Sequence, residues 1–163
     1  AEDSLRFVLQ QQGLVLATDA RLALLAELAN LRAWSDARMA AEQLQRRGLR
    51  LAFLSNMTEA MLKAGIARND LRGLFEKAIS TDVVRSFKPD PKAYRLAEGE
   101  LQLSREDILF VAFAGWDVAG AKWFGYPTFW VNRTGAPAEE LAATADAHGP
   151  DLQSLVQYID AGG

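Results

Sequence analysis

The sequence predicts an α/β fold built on a doubly wound parallel sheet, with a helical segment ahead of it. Three observations carry that expectation. Short, almost wholly apolar runs of strand length recur at residues 49–54, 108–114 and 127–132, the profile of strands buried on both faces. Segments with helical spacing separate them, and strand, helix and strand alternating in this way signals parallel crossover units. Finally, 163 residues suit one domain, and a composition that is 50% hydrophobic and 24% charged supplies an ordinary globular core.

Taken in order, apolar residues from Leu5 to Leu31 recur at helical spacing and are interrupted at Gly13, which reads as a helical hairpin. Ser35 or Asp36 is placed to cap a helix that runs through Met39, Ala40 and Leu44 and stops at Gly48. The strand ending at Leu54 delivers Ser55 and Asn56 at its carboxyl end, and Thr58 opens the next helix, to about Ile66. Residues 77–84 form a weaker strand candidate. Pro89 and Pro91 punctuate the loop before a helix from about Lys92 to Leu101. A strand at 108–114, a helix at 118–124 and a strand at 127–132 complete the alternation. Gly162 and Gly163 read as a frayed tail, and there is neither an internal repeat nor a low-complexity tract.

Charge and composition exclude several function classes. Lys and Arg total 18 against 21 Asp and Glu, and a net charge of -3 gives no electrostatic footprint for a nucleic acid. The chain has no cysteine, hence no disulfide, thiolate nucleophile or thiolate metal site, and the single His148, read as a surface loop residue, rules out a multi-histidine cluster. No run approaches the ~18 apolar residues of a membrane span, so no membrane partner and a cytoplasmic location are expected. The chain opens on Ala1-Glu2-Asp3-Ser4 without an initiator Met, and its true beginning is expected upstream. Trp34, Trp123 and Trp130 are expected to make core or cap contacts. Arg46, Arg47 and Arg50 read as the solvated end of a helix.

Three polar positions follow apolar strands or sit in loops on the same edge: Ser55-Asn56, Lys88-Pro89 and Asp117. In a doubly wound sheet such loops converge at the carboxyl ends of the strands. A hydroxyl, an ammonium and a carboxylate meeting there can bind an anion and hold a nucleophile in its charged form. Each position also has a purely structural reading: a helix cap for Ser55-Asn56, a solvated loop lysine for Lys88, and a cap that complements the helix dipole for Asp117.

In sequence order these residues resemble a known family. Leu54-Ser55-Asn56, Ser86-Phe87-Lys88-Pro89-Asp90-Pro91 with Tyr94, and Gly115-Trp116-Asp117-Val118-Ala119-Gly120-Ala121-Lys122 are similar to the second, third and fourth motifs of the haloacid dehalogenase (HAD) superfamily. The stretch from Trp116 to Lys122, with Phe124-Gly125 and residues 130–135, resembles more narrowly its L-2-haloacid dehalogenase branch, and the spacings between the motifs fit that branch. The resemblance covers nearly the whole chain. It implies a Rossmann-like HAD core over residues 35–163, with residues 1–34 the remnant of a helical cap. The implied chemistry is hydrolytic dehalogenation of a small L-2-haloacid or similar carboxylate to a 2-hydroxy acid through an aspartyl ester, without metal or other cofactor. Ser55 and the adjoining Asn56 backbone would hold the substrate carboxylate, Lys88 would keep the nucleophile ionised, Tyr94 and Trp116 would line the site, and Asp117 would orient Lys88 and the hydrolytic water. A homodimer is a further expectation.

The chain also departs from that branch. Ala112 and Ala114 stand where serine and asparagine are usual, and Met57 where a small residue is usual. A magnesium-dependent phosphatase of the same superfamily often carries a metal-binding carboxylate four residues before Asp117, where this chain has Phe113, which cannot ligate a hard cation. The first motif, a strand ending in the nucleophilic aspartate, has no counterpart, since Asp3 and Asp19 lie in helical patterns and Asp36 looks like a cap. The central strand of the sheet is thus expected to be absent from these residues, and the chain by itself to be inactive. The alternative to a hydrolase is a non-catalytic HAD-fold binding or interaction protein.

Overall fold

The computed structural model describes residues 2–28 and 30–163. Helices α1 (Glu2–Gln11) and α2 (Thr18–Glu27) fall where the two helical runs are expected, and the chain between them passes through Gly13, whose φ of 63° is a left-handed conformation that glycine adopts at little cost. Neither helix buries a residue, and Phe7, Val8, Leu22 and Leu24 all face outward. Helix α3 (Ala37–Arg46) is different. Its Ala40, Ala41 and Leu44 are buried, and the chain leaves it through Gly48 at a φ of 80°.

Two parallel sheets follow. Strands β1 (Ala52–Ser55) and β2 (Lys77–Ser80) pair from Ala52 opposite Lys77 to Ser55 opposite Ser80, with α4 (Glu59–Arg68) as their crossover. Strands β3 (Phe110–Ala112), β4 (Thr128–Val131) and β5 (Ala147–Gly149) form the second sheet in that order. Helices α5 (Pro91–Leu101), α6 (Gly115–Phe124) and α7 (Leu152–Asp160) complete the fold. Among the described residues no strand lies between β1 and β3, so those two edges share no ladder.

Alternation along the strands assigns the two faces. Ala52 and Leu54 of β1, with Phe110 and Ala112 of β3, pack with Tyr94, Ala97 and Leu101 of α5 and Val118, Ala121 and Phe124 of α6. Leu51 and Phe53 point the other way, toward α3, where Leu44 and Ala40 meet Phe129 and Val131 of β4, and Ala41 meets Leu71 and Leu74. One core therefore spans both sheets on each face, although the sheets are not joined by backbone hydrogen bonds.

The structure departs from the sequence reading at five places. The strand expected over 77–84 ends at Ser80, because the Ser80 hydroxyl accepts the Asp82 N–H at 3.2 Å and bends residues 81–84 into a 3₁₀ turn. His148 is not in a loop; it lies exposed on β5, opposite Trp130. Trp34 and Trp123 are 60% and 61% exposed rather than core residues, while Trp130 is half-buried and donates its indole N–H to the Phe113 carbonyl at 2.9 Å. Arg47 and Arg50 are not free helix-end cations but form forked ion pairs with Asp160 and Glu76. Asp36 precedes α3 yet makes no side-chain cap. Its carboxylate instead accepts the Arg133 guanidinium at 2.8 and 3.0 Å and the Leu152 N–H at 2.9 Å, while Arg133 lies over the Trp34 ring at 4.7 Å.

That carboxylate ties the entrance of α3 to the start of α7 in a setting where the two side chains are only 18% and 13% exposed. Replacing it leaves a backbone N–H and a guanidinium short of a partner. Asp36→Ala is expected to lower unfolding free energy by about 1–3 kcal/mol, read from urea denaturation at neutral pH.

Candidate active site

The turn after β1 is built by its own polar side chains. Ser55 Oγ accepts the Met57 N–H at 3.1 Å, and the Ser80 hydroxyl donates to the Met57 carbonyl at 2.8 Å. Neither Ser55 nor Asn56 caps α4; Thr58 does, accepting the Met61 N–H at 3.3 Å. This leaves the Asn56 side chain free to reach the loop before α5. Its Oδ1 accepts the Lys88 N–H at 2.8 Å and the Thr81 hydroxyl at 3.1 Å, and its Nδ2 donates to the Lys88 carbonyl at 3.3 Å. One amide thus brackets both ends of the Lys88 backbone.

The loop is fixed again just downstream. Asp90 caps α5, accepting the Lys92 N–H at 2.8 Å, and also accepts the Ser86 hydroxyl at 2.8 Å. The Lys92 N–H and then the Ser86 hydroxyl hold its carboxyl below the ordinary aspartate value. The Lys88–Pro89 peptide between these anchors is cis.

From this framed backbone the Lys88 side chain runs inward over the Phe110 ring, 5.2 Å from its centroid, and its Nζ lies 2.6 Å from Asp117 Oδ2. The two side chains are 10% and 12% exposed, so this is not a solvated surface pair. Asp117 sits in the first turn of α6 and does not cap it; the cap position is Ala114, which has no side-chain acceptor to offer. The second carboxylate oxygen accepts the hydroxyl of fully buried Tyr94 at 2.8 Å. Tyr94 is held in turn by Tyr126, whose hydroxyl donates to the Tyr94 carbonyl at 2.7 Å. Burial, then the charge of Asp117 and its hydrogen bond, push the Tyr94 phenol well above the usual tyrosine value. Burial also raises Tyr126, helped by the negative charge of Glu98.

Of the residues singled out in the sequence, Lys88, Asp117 and Tyr94 are therefore in direct contact, and Asn56 touches Lys88 through its backbone. Ser55 sits at the same strand end, one residue before Asn56. Trp116, 41% exposed, adjoins Asp117 at the mouth of α6. Met57 turns toward α4 and lines a cavity of about 180 Å³ with Phe53, Met61 and Leu62. Phe113, 51% exposed, stands four residues before Asp117, and no group of three or more His, Cys, Asp or Glu among the described residues is placed to hold a metal ion. Thr81 and Tyr126 escaped the sequence reading. Thr81 offers no local signal, whereas Tyr126 directly follows Phe124-Gly125 of the motif. An ammonium offers three N–H donors, so Lys88 can hold a further anionic oxygen while paired to Asp117.

Comparison with known proteins identifies the family and the fold. The family model for haloacid dehalogenase-like hydrolases matches residues 1–125. The (S)-2-haloacid dehalogenase of Pseudomonas sp. (strain YL) is 39% identical over 159 residues, which are 98% of this chain and 68% of that protein. The crystal structure of the L-2-haloacid dehalogenase RSc1362 superposes with a TM-score of 0.94 at 37% identity, covering 98% of this chain and 70% of the other. The structure of L-2-haloacid dehalogenase from Xanthobacter autotrophicus with chloropropionic acid covalently bound gives a TM-score of 0.88 at 29% identity, covering 99% and 75%. The chain spans about two thirds of the length of the curated relatives it matches.

The raised phenols set the alkaline limb of stability. A phenol whose folded value lies above its unfolded value of about 10 contributes stability that is complete below pH ~10 and is lost as pH rises toward the folded value, because the unfolded chain releases its proton first. Unfolding free energy from urea titrations should fall by up to about 1.4 kcal/mol per pH unit for each such tyrosine above pH ~10. Tyr94→Phe should flatten that slope; an unchanged slope would remove the assigned role of Tyr94.

Proposed function

Because the chain belongs to the haloacid dehalogenase-like hydrolase family, we propose that it supplies the cation, the orienting acid and the anion-holding turn of an enzyme that hydrolyses L-2-haloacids to 2-hydroxy acids. The observation that carries this reading is the buried contact of Lys88 with Asp117 and of Asp117 with Tyr94 at the carboxyl ends of β1 and β3. Lys88 is anchored by Asn56 after β1 and lies over Phe110 of β3, and between those strands the resemblance places a strand ending in an aspartate.

In the proposed reaction that aspartate attacks C2 of the haloacid, the carbon–halogen bond breaks, and halide leaves with the electron pair. Water then adds to the carbonyl of the aspartyl ester. The 2-hydroxy acid departs with inverted configuration, one proton is released, and the carboxylate is restored. Lys88 keeps the nucleophile ionised, since a neighbouring cation favours a carboxylate's charged form. Asp117 orients Lys88 and the hydrolytic water, Ser55 and the Asn56 backbone hold the substrate carboxylate, and Tyr94 and Trp116 line the site. Ala112 and Ala114 take away two polar side chains usual in the branch, while Met57 lies toward α4. Phe113 in place of an oxygen ligand favours this chemistry over magnesium-dependent phosphate transfer.

In the same reading the hairpin through residue 34 belongs to a helical cap and residues 35–163 to the α/β core. The buried clusters support that division, because they begin only at α3. The outward apolar residues of α1 and α2 suit a homodimer. A net charge of -3 speaks against a nucleic-acid partner. No described helix is long and apolar enough to cross a membrane, and the cytoplasm is the compartment we assign.

The test joins an aspartate-bearing N-terminal segment of the Pseudomonas relative ahead of this chain and follows halide release from L-2-chloropropionate. The joined enzyme should release chloride and form the inverted hydroxy acid, with Lys88→Ala slower by at least about 100-fold. Release no faster than that of Lys88→Ala would overturn the hydrolase reading and leave a binding protein.

A further inference from the structure

Gly120 occupies the middle of α6, where glycine is less favourable than alanine by about 0.5–1 kcal/mol. Its backbone does not call for glycine, because it is absent from the positive-φ positions. What calls for it is space. A Cβ at this position would collide with the Tyr94 hydroxyl oxygen, would lie 2.9 Å from Pro89 Cβ, and would lie 3.1 Å from Tyr94 Cζ. Gly65 in α4 and Gly99 in α5 have nothing within 4 Å of an added Cβ, and at Gly115, the first residue of α6, it would meet only the flexible Glu139 side chain.

Tyr94 has no room to step aside. Its ring is enclosed by Phe110 at 5.5 Å, Phe124 at 5.8 Å and Tyr126 at 6.4 Å, and its own carbonyl is held by the Tyr126 hydroxyl. Pro89, the residue after Lys88, borders the same space beside Gly120. The hydroxyl therefore reaches Asp117 Oδ1 only through the notch that the missing side chain leaves, at the point where the Lys88 loop, α5 and α6 converge. We propose that Gly120 is a positioning residue of this site: its lack of a side chain seats the Tyr94 hydroxyl on Asp117, and Asp117 in turn holds the Lys88 ammonium. As a statement about catalysis this rests on the hydrolase reading; as a statement about Tyr94 it does not.

The test uses the chain as it stands, labelled with tyrosine carrying ¹³C at the ζ position, with Gly99→Ala as the control for an unobstructed helical glycine. Gly120→Ala should shift the Tyr94 ζ-carbon resonance and speed exchange of its hydroxyl proton by at least about tenfold, while Gly99→Ala leaves both unchanged. A folded Gly120→Ala chain with unaltered Tyr94 signals would overturn the proposal. Should Gly120→Ala not fold, Gly120→Ala/Tyr94→Phe removes the colliding oxygen and should regain most of the lost thermal stability. A double variant that loses as much as the two single variants together would make Pro89 the obstacle and equally overturn it. In the halide-release assay of the joined enzyme, Gly120→Ala should lower kcat and leave KM within about twofold. If that enzyme releases no halide at all while the Tyr94 signature responds as expected, the hydrolase reading fails and the steric assignment stands.

Discussion

Two opposite charges withdrawn from water carry a desolvation cost of several kcal/mol per ion, which their attraction offsets only when geometry and further hydrogen bonds are favourable. Lys88 and Asp117 meet those conditions. One carboxylate oxygen takes the ammonium and the other takes a buried phenol, so neither is left unpaired. An apolar pair of similar volume would stabilise the fold at least as well, which is why a pair of this kind is better explained by chemistry than by stability. It also joins the two sheets. Lys88 follows β2 and Asp117 follows β3, and between the edges of β1 and β3 there is no backbone ladder among the described residues.

The surroundings of the pair are arranged so that each contact restrains the next. Asn56 fixes the Lys88 backbone at both its N–H and its carbonyl, Asp90 fixes the following turn, and Tyr126 fixes the backbone of Tyr94. Lys88 and Tyr94 thus owe their aim to polar groups outside the pair. Such pre-organisation lets a site stabilise charge without reorganising during the reaction.

Much of this was legible in the sequence, for physical reasons that differ from residue to residue. Apolar runs mark β1, β3 and β4, each strand shorter than its run; β4 is buried along most of its length, as such runs suggest, whereas β1 is half-buried and Val111 of β3 is exposed. Strand β5 is three residues long and includes an exposed histidine, which is too little for any pattern. Helix α7 was legible in principle: Asp151 accepts the Ser154 N–H at 2.8 Å, and Leu152, Leu155, Val156 and Ile159 recur at helical spacing. Lys88, Asp117 and Tyr94 could be named from their motifs. The frame that Asn56 and Thr81 provide could not, because it depends on contacts between residues distant in sequence. Asp36 is the clearest misreading: local sequence makes it a cap, and a partner nearly a hundred residues away, Arg133, claims its carboxylate instead.

Asp36 also governs how the hairpin relates to the rest. Helices α1 and α2 bury nothing, and the chain leaves them past Trp34, which stacks on Arg133, and enters α3 at a carboxylate tied to Arg133 and Leu152. Helix α3 in turn lies as a crossbar under both sheets, its adjacent Ala40 and Ala41 resting one on each side. The outer helices therefore join the core at a clamped root, where Trp34 and Asp36 are held by Arg133 and Leu152.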